Sequence, residues 1–463
     1  MAIWTPSLHG RSGTRATALV EALRDDIASG LLKPGDRLPP QRQLADVVGL
    51  APQTVMRAYA EAARRGYVRG EVGRGTFVCP ARDPREPRRD ATLARPDAGP
   101  IDFSQNLPLP GEAGPALAQA LVDLARAGAC PAYLDHQRPE SAPAHREAAA
   151  GWMSGLGLAA DARQVVLTQG AQQGLMATLM ALLKPGDVLL TEALSYAPIQ
   201  GLARHLGARV VGLAMDDEGL LPDALESACR QHRPRALYLT PTLQTPTTAT
   251  MGEDRRRQLV RIARAQDLTL IEDDVFGFLP PQRPLPLAAL APERCFFVTS
   301  LSKSVAPGLR AGFVLAPPDR VPALVAAVKL ASWMAPPLMM EIAARWMTDG
   351  VAAALNASQR AHAARRQAMA RAALAGLDYR ADPHGLHLWL HLPEPWTADA
   401  FAAQAERAGV LLRPASAFAA PGARAPSALR LCLSHEASDD RVAAGLAVVA
   451  ELIGKGVVDD FVV

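Results

Sequence analysis

The chain has 463 residues, 49% of them hydrophobic, too many for one ordinary domain and ample for large buried cores. Its net charge of +3 is unevenly divided: residues 1–95 carry 16 Lys and Arg against 10 Asp and Glu, the remainder 33 against 36, so the basic front suits an anionic partner, with nucleic acid first among them. The five cysteines (79, 130, 229, 295 and 432) include no Cys-x-x-Cys pair, which argues against a disulfide framework or a metal centre, and for a reducing cytoplasmic setting without a membrane span.

Residues 1–78 read as helix, helix, turn, helix and a glycine-bearing hairpin. Leu19, Leu23 and Ile27 fall on one helical face that Gly30 and Pro34-Gly35 close. Leu44, Val47 and Val48 follow on a short helix, Gly49 turns the chain, and Pro52 opens a helix with Val55, Tyr59 and Ala62 as its buried stripe. Gly66-Tyr67-Val68 and Gly73 through Val78 make two strands around a tight turn. This order is that of a winged helix-turn-helix, whose second motif helix enters the major groove of double-stranded DNA. Gln53, Thr54 and Arg57 lie off the buried stripe as base readers, Arg42 holds a phosphate, and Arg74 with Gly75 forms the wing contact. A helical protein-docking domain with a hairpin is the alternative. Residues 79–100, with prolines at 80, 84, 87, 96 and 100, break the apolar periodicity and read as an extended linker.

From residue 101 on, short apolar runs at 165–168, 188–191, 209–213, 236–240, 268–272, 296–300 and 312–315 alternate with helical stretches, including 171–183, 220–231 and 253–266. Such alternation gives an α/β fold with a largely parallel sheet covered on both faces, whose ligands sit at the carboxyl ends of strands. Three motifs fall there: Gly170-Ala171-Gln172, Asp273, and Ser300 through Lys303.

Lys303 is one of only five lysines in a chain that writes its positive charge as arginine. An amine, unlike a guanidinium, loses its proton when desolvated and condenses with an aldehyde. Ser300, Ser302 and Arg310 are phosphate partners, as are the free amides where Gly170-Ala171-Gln172 opens a helix. Asp273 suits a protonated pyridine nitrogen, Tyr196 a stacked ring, and Arg430, within the alternating run Leu429 to Leu433, a ligand carboxylate. The alternatives are a solvated acidic turn, a core aromatic and a surface arginine on an edge strand. Together the residues describe a pocket for pyridoxal 5'-phosphate (PLP).

Residues 14–78, with Pro34-Gly35, Leu38-Pro39, Arg42, Thr54-Val55 and Gly73 to Val78, resemble a GntR-type winged helix, and residues 101–463 resemble a fold-type I class I/II aminotransferase. The fusion is similar to the MocR type of bacterial transcriptional regulator. That resemblance implies a smaller C-terminal α+β subdomain, a head-to-tail homodimer, PLP held by Lys303 as an internal aldimine, and promoter DNA bound by the front domain. Three positions depart from the aminotransferase pattern. Thr245 replaces an asparagine and Phe276 a tyrosine that donate to the cofactor's phenolic oxygen. His136, ten residues before Arg146, stands where a tyrosine normally reaches the partner's phosphate.

Phenylalanine cannot donate, so the site is expected to bind cofactor and exchange amines but to turn over poorly. The leading expectation is a PLP-dependent regulator sensing PLP or an amino-acid or amine effector. An active aminotransferase with a vestigial front domain, and a DNA binder whose rear domain only dimerises, are the alternatives.

Overall fold

A computed structural model of the chain describes residues 4–8, 14–64, 67–71, 75–79, 99–108, 111, 113–136 and 142–455. The expectations at Arg74, and those for the linker at 80–98, lie outside these residues. The chain divides into two compact units, Met1–Ala94 and Arg95–Val463.

In the first unit, Thr14 caps helix α1 (Arg15–Ala28) by accepting from Thr17 N, and Leu19 and Leu23 are buried while Ile27 is half-buried. Helix α2 (Gln41–Val48) stops at Gly49, whose φ of 64° is the left-handed cap that ends helices without a Cβ penalty. Its inward face is Leu44 and Ala45, while Val47 is 45% exposed, because the helix turns it away from the core. Helix α3 (Pro52–Arg64) buries Val55, Ala58, Tyr59 and Ala62, and the Tyr59 hydroxyl donates to Pro39 O at 2.8 Å. Strands β1 (Val68–Glu71) and β2 (Gly75–Val78) pair antiparallel, Val68 opposite Val78.

The second unit is built on a seven-stranded sheet. Its strands are β3 (Val165–Gln169), β4 (Val188–Glu192), β5 (Arg209–Leu213), β6 (Ala236–Leu239), β7 (Thr269–Asp273), β8 (Cys295–Ser300) and β9 (Ala311–Leu315), in the spatial order β3-β9-β8-β7-β6-β4-β5. All neighbours are parallel except β9, which runs antiparallel to β8 and β3. Separate apolar clusters cover the two faces, Leu237 and Phe297 in one, Tyr238 and Val298 in the other. This is why the strands read as nearly continuous apolar runs. A second, antiparallel sheet follows: β10 (Tyr379–Ala381), β11 (His387–His391), β12 (Arg413–Pro414) and β13 (Ala428–Cys432), ordered β10-β11-β13-β12. Arg430 therefore sits on an inner strand, between Trp389 and Arg413, and not on an edge. Among the described residues, no helix is long and apolar enough to cross a membrane, and no cluster of His, Cys, Asp or Glu has the makings of a metal site.

Candidate functional site

At the carboxyl ends of the parallel strands lies a cavity of about 200 Å³. It gathers Ala171, Gln172, Tyr196, Thr245, Asp273, Phe276, Ser300, Ser302, Lys303, Arg310 and Arg430, residues spread over 260 positions, all singled out in sequence by their chemistry except Thr245 and Phe276, which the family resemblance marked. Gly170 stands just behind them as the N-cap of helix α4 (Ala171–Leu182) with φ 78°. A Cβ there would lie 2.6 Å from Arg310 Nη2, so the guanidinium reaches the helix mouth only because residue 170 has no side chain.

Each end of the cavity has its own electrostatics. Asp273 closes β7, 5% exposed; Tyr238 on β6 donates its hydroxyl to Asp273 Oδ2 at 2.8 Å, while Oδ1 is buried without a partner. Burial lifts the Asp273 carboxyl to about 6, and the Tyr238 bond opposes the lift. Burial brings the Lys303 amine down to about 8, with Arg430 pushing the same way and Asp273 opposing. That amine donates to the backbone carbonyl of Asn106 and lies 5.9 Å from the centre of the Phe276 ring. Near the helix mouth, Ser300 Oγ accepts from Ser302 N at 3.3 Å, Ser302 Oγ is buried and unpaired, and Arg310 Nη2 donates to Gln169 O at 3.1 Å. Tyr196 Oη meets Gln172 Oε1 at 3.5 Å.

Arg430, 9% exposed, donates from Nη1 to Thr245 Oγ1 at 3.1 Å and from Nη2 to Ser104 O at 2.7 Å, with its Nε unpaired and its guanidinium 4.8 Å from the Phe418 ring centre. His136 does not enter this cavity; it is exposed and meets the Trp333 ring edge-on at 5.7 Å.

Several residues of the site escaped sequence reasoning. Asn106 lines the cavity and passes its Nδ2 to His387 Nδ1 at 3.1 Å. His387 is 1% exposed and pushed down to about 3 by burial, hence neutral; its Nε2 meets Gln244 O at 3.4 Å, and its ring lies 5.8 Å from Phe276. Gln244 in turn donates to Glu192 Oε2 and Leu194 O. Behind the strand ends, Arg256, fully buried, holds Glu272 at 3.3 Å, Pro241 O, Met251 O and Thr242 Oγ1, tying the strand of Asp273 to the loop of Thr245.

Of the residues proposed for DNA contact, Arg42, Gln53 and Arg57 are exposed, whereas Thr54 is half-buried. Gly75, φ 119°, opens β2 with the Arg37 side chain against it, where a Cβ would lie 2.7 Å from Nε.

Comparison with known proteins agrees with this division. Residues 98–446 match the family "Aminotransferase class I and II", and residues 15–78 match "Bacterial regulatory proteins, gntR family". The HTH-type transcriptional regulator YdeF of Bacillus subtilis is 28% identical over 97% of this chain and 96% of its own. The regulator YdcR of Escherichia coli is 30% identical over 82% and 86%. Among solved structures, the α-aminoadipate aminotransferase LysN of Thermus thermophilus, complexed with N-(5'-phosphopyridoxyl)-L-leucine, is 25% identical, covers 77% of this chain and 92% of its own, and superposes with a TM-score of 0.70.

Proposed function

Since this chain belongs to the class I and II aminotransferase family and carries a gntR-type domain at its front, we propose that it is a transcriptional regulator that binds promoter DNA through residues 1–78. In this reading residues 101–463 hold PLP and sense an amino-acid-like amine or PLP itself, and residues 79–100 are the link. Relatives of nearly full coverage carry regulator names, which supports the reading.

PLP is the cofactor of this fold, and when bound it supplies an electron sink conjugated to the ligand amine. The residues present fit it. Asp273 Oδ1, buried and unpaired, would accept from a ring N–H and balance a ring cation. Ser302 Oγ, Arg310 and the amides at the mouth of α4 suit a dianionic phosphate. Lys303, with its amine lowered to about 8, keeps a neutral, nucleophilic fraction near neutral pH. Arg430 offers its fork to the ligand carboxylate at the far end.

One observation carries the regulatory reading over the enzymatic one. The groups suited to hold the cofactor are intact, whereas Phe276 offers the phenolic oxygen no donor, and Thr245, whose Oγ1 accepts from Arg430, is a shorter donor than the asparagine of the family pattern. Each missing hydrogen bond is worth on the order of 1 kcal/mol, too little to release a cofactor held at its other end by charge. Two copies pair head to tail, so that ligand binding sets how two winged helices are presented. A slow aminotransferase is the second reading, favoured by Lys303, Asp273 and Arg430 sharing one cavity.

The test has two arms. Purified protein absorbs in the visible, loses that band on borohydride treatment, and lacks it in Lys303→Ala. DNA-affinity selection, with and without PLP and a panel of amino acids, recovers a sequence whose affinity falls steeply with salt. Brisk transamination with no DNA recovered overturns the regulator in favour of the enzyme.

A further inference from the structure

A second cleft, of about 690 Å³, opens on the rear unit and shares no lining residue with the lysine cavity. Trp152 and Phe278 lie in its wall as a stacked pair, ring centres 4.7 Å apart and planes at 26°. Small residues of helix Pro143–Ser154, among them Ala148 and Gly151, leave the space open beside them.

Two polar atoms of this lining have no partner. Asn356 is 6% exposed; its Nδ2 donates to Phe278 O at 2.9 Å, which fixes the amide's orientation and leaves Oδ1 as a buried acceptor with nothing to accept from. Trp152 Nε1 is a buried donor with nothing to donate to. Buried polar groups are ordinarily satisfied, so each orphan calls for an explanation. The residues that carry this orphan donor and this orphan acceptor both line one cleft, and together they suit a ligand that offers both a C=O and an N–H. The charged lining is one carboxylate, Glu147, and one guanidinium, Arg360, whose Nε and Nη2 are spent on Phe278 O. The charges cancel, which favours a neutral ligand.

We propose that this cleft binds a small, neutral, planar heterocycle with an amide-like edge, its ring extending the Trp152–Phe278 stack and its edge meeting Trp152 Nε1 and Asn356 Oδ1. Binding there is communicated to the lysine cavity. The Phe278 carbonyl is held by three donors from Asn356 and Arg360, and the same short segment carries Asp273, Val275 and Phe276 into the other cavity. The second half of this proposal rests on the lysine cavity being the cofactor site; the first half does not.

The experiment titrates PLP-loaded protein with nicotinamide and, separately, uracil, by calorimetry and by the visible cofactor band. Acetamide, which has the amide edge but no ring, is the control. Gly151→Leu is the blocking variant: a Cβ at Gly151 meets nothing within 4 Å, so the new side chain fills the cleft without displacing the helix. Asn356→Ala removes the acceptor. The expected result is saturable binding of at least one ring probe, one per chain, abolished by Gly151→Leu, at least tenfold weaker in Asn356→Ala and at least tenfold weaker for acetamide, with a shift of the cofactor band on saturation. Binding of neither probe, or binding that Gly151→Leu leaves intact, overturns the site. Binding without any change in the band overturns the communication. A cofactor band that persists in Gly151→Leu separates either failure from a failure of the PLP reading, which would remove the band in the unmodified protein.

Discussion

Replacing Asp273 with asparagine tests the cofactor reading through two quantities of opposite sign. In the ligand-free chain the carboxyl is raised from 3.8 to about 6 by burial, so keeping it ionised at pH 8 costs about 3 kcal/mol. A raised carboxyl contributes stability that is fully present below its unfolded value and is lost as pH rises through about 6. Asparagine has no such dependence, yet still offers an oxygen to the Tyr238 hydroxyl. The ligand-free Asp273→Asn protein should therefore gain on the unmodified protein as pH goes from 4 to 8, by up to about 3 kcal/mol. PLP affinity should move the other way. Losing a charge-assisted bond to the ring costs about 1.5–3 kcal/mol, roughly tenfold to a hundredfold in affinity. Urea unfolding at both pH values and a PLP titration read by absorbance measure the two effects on one preparation. An affinity equal to that of the unmodified protein, or a stability difference independent of pH, refutes the assignment of Asp273 to the ring nitrogen.

Other outcomes follow from the same geometry. Phe276→Tyr restores a donor beside Lys303, and should shift the cofactor's visible band and raise transamination several-fold, by the ~1 kcal/mol of one hydrogen bond; an unchanged spectrum counts against the proposed place of residue 276. The rate of PLP capture by ligand-free protein should rise about tenfold per pH unit up to about 8 and then level, because only the neutral Lys303 amine reacts; a profile flat from pH 6 to 9, followed by stopped-flow absorbance, contradicts the depressed amine. Arg256→Met leaves Glu272 buried without its cation and should cost about 3–5 kcal/mol in urea unfolding; a loss below about 1 kcal/mol would show that the carboxyl is carried neutral.

All seven strands of the large sheet were legible to within about a residue, because strands buried on both faces are short apolar runs between turn signals. That Lys303, the two serines and Asp273 belong together was legible too, since a lysine after two serines, or a carboxylate ending an apolar strand, is out of place in a core, and the fold brings them to one cavity. The residues behind them were not. Tyr238 sits in a run that packs like any other strand, and only the fold brings its hydroxyl to Asp273, 35 positions on. Asn106 is 197 positions from the lysine it touches, after a two-residue strand with no periodicity to mark it. His387 heads an apolar strand, where a histidine reads as core, and its value lies in contacts with Asn106 and Gln244 that no local spacing encodes.

The glycines around the helix mouth carry a consequence for how such a molecule changes over generations. A Cβ at Gly312 would sit 2.4 Å from the Gly170 carbonyl carbon, and one at Gly170 would strike Arg310. At Gly312 the clash is backbone against backbone, which has no slack, and at Gly170 a φ of 78° and the Arg310 guanidinium both oppose a side chain, so replacement at either position disturbs the helix mouth. At the opposite end, Thr245 and Phe276 meet the cavity with side chains, which single substitutions alter while the chain path stays put. Substitution is thus channelled: the helix mouth tolerates little, while the opposite end of the cavity can change one side chain at a time with the fold intact.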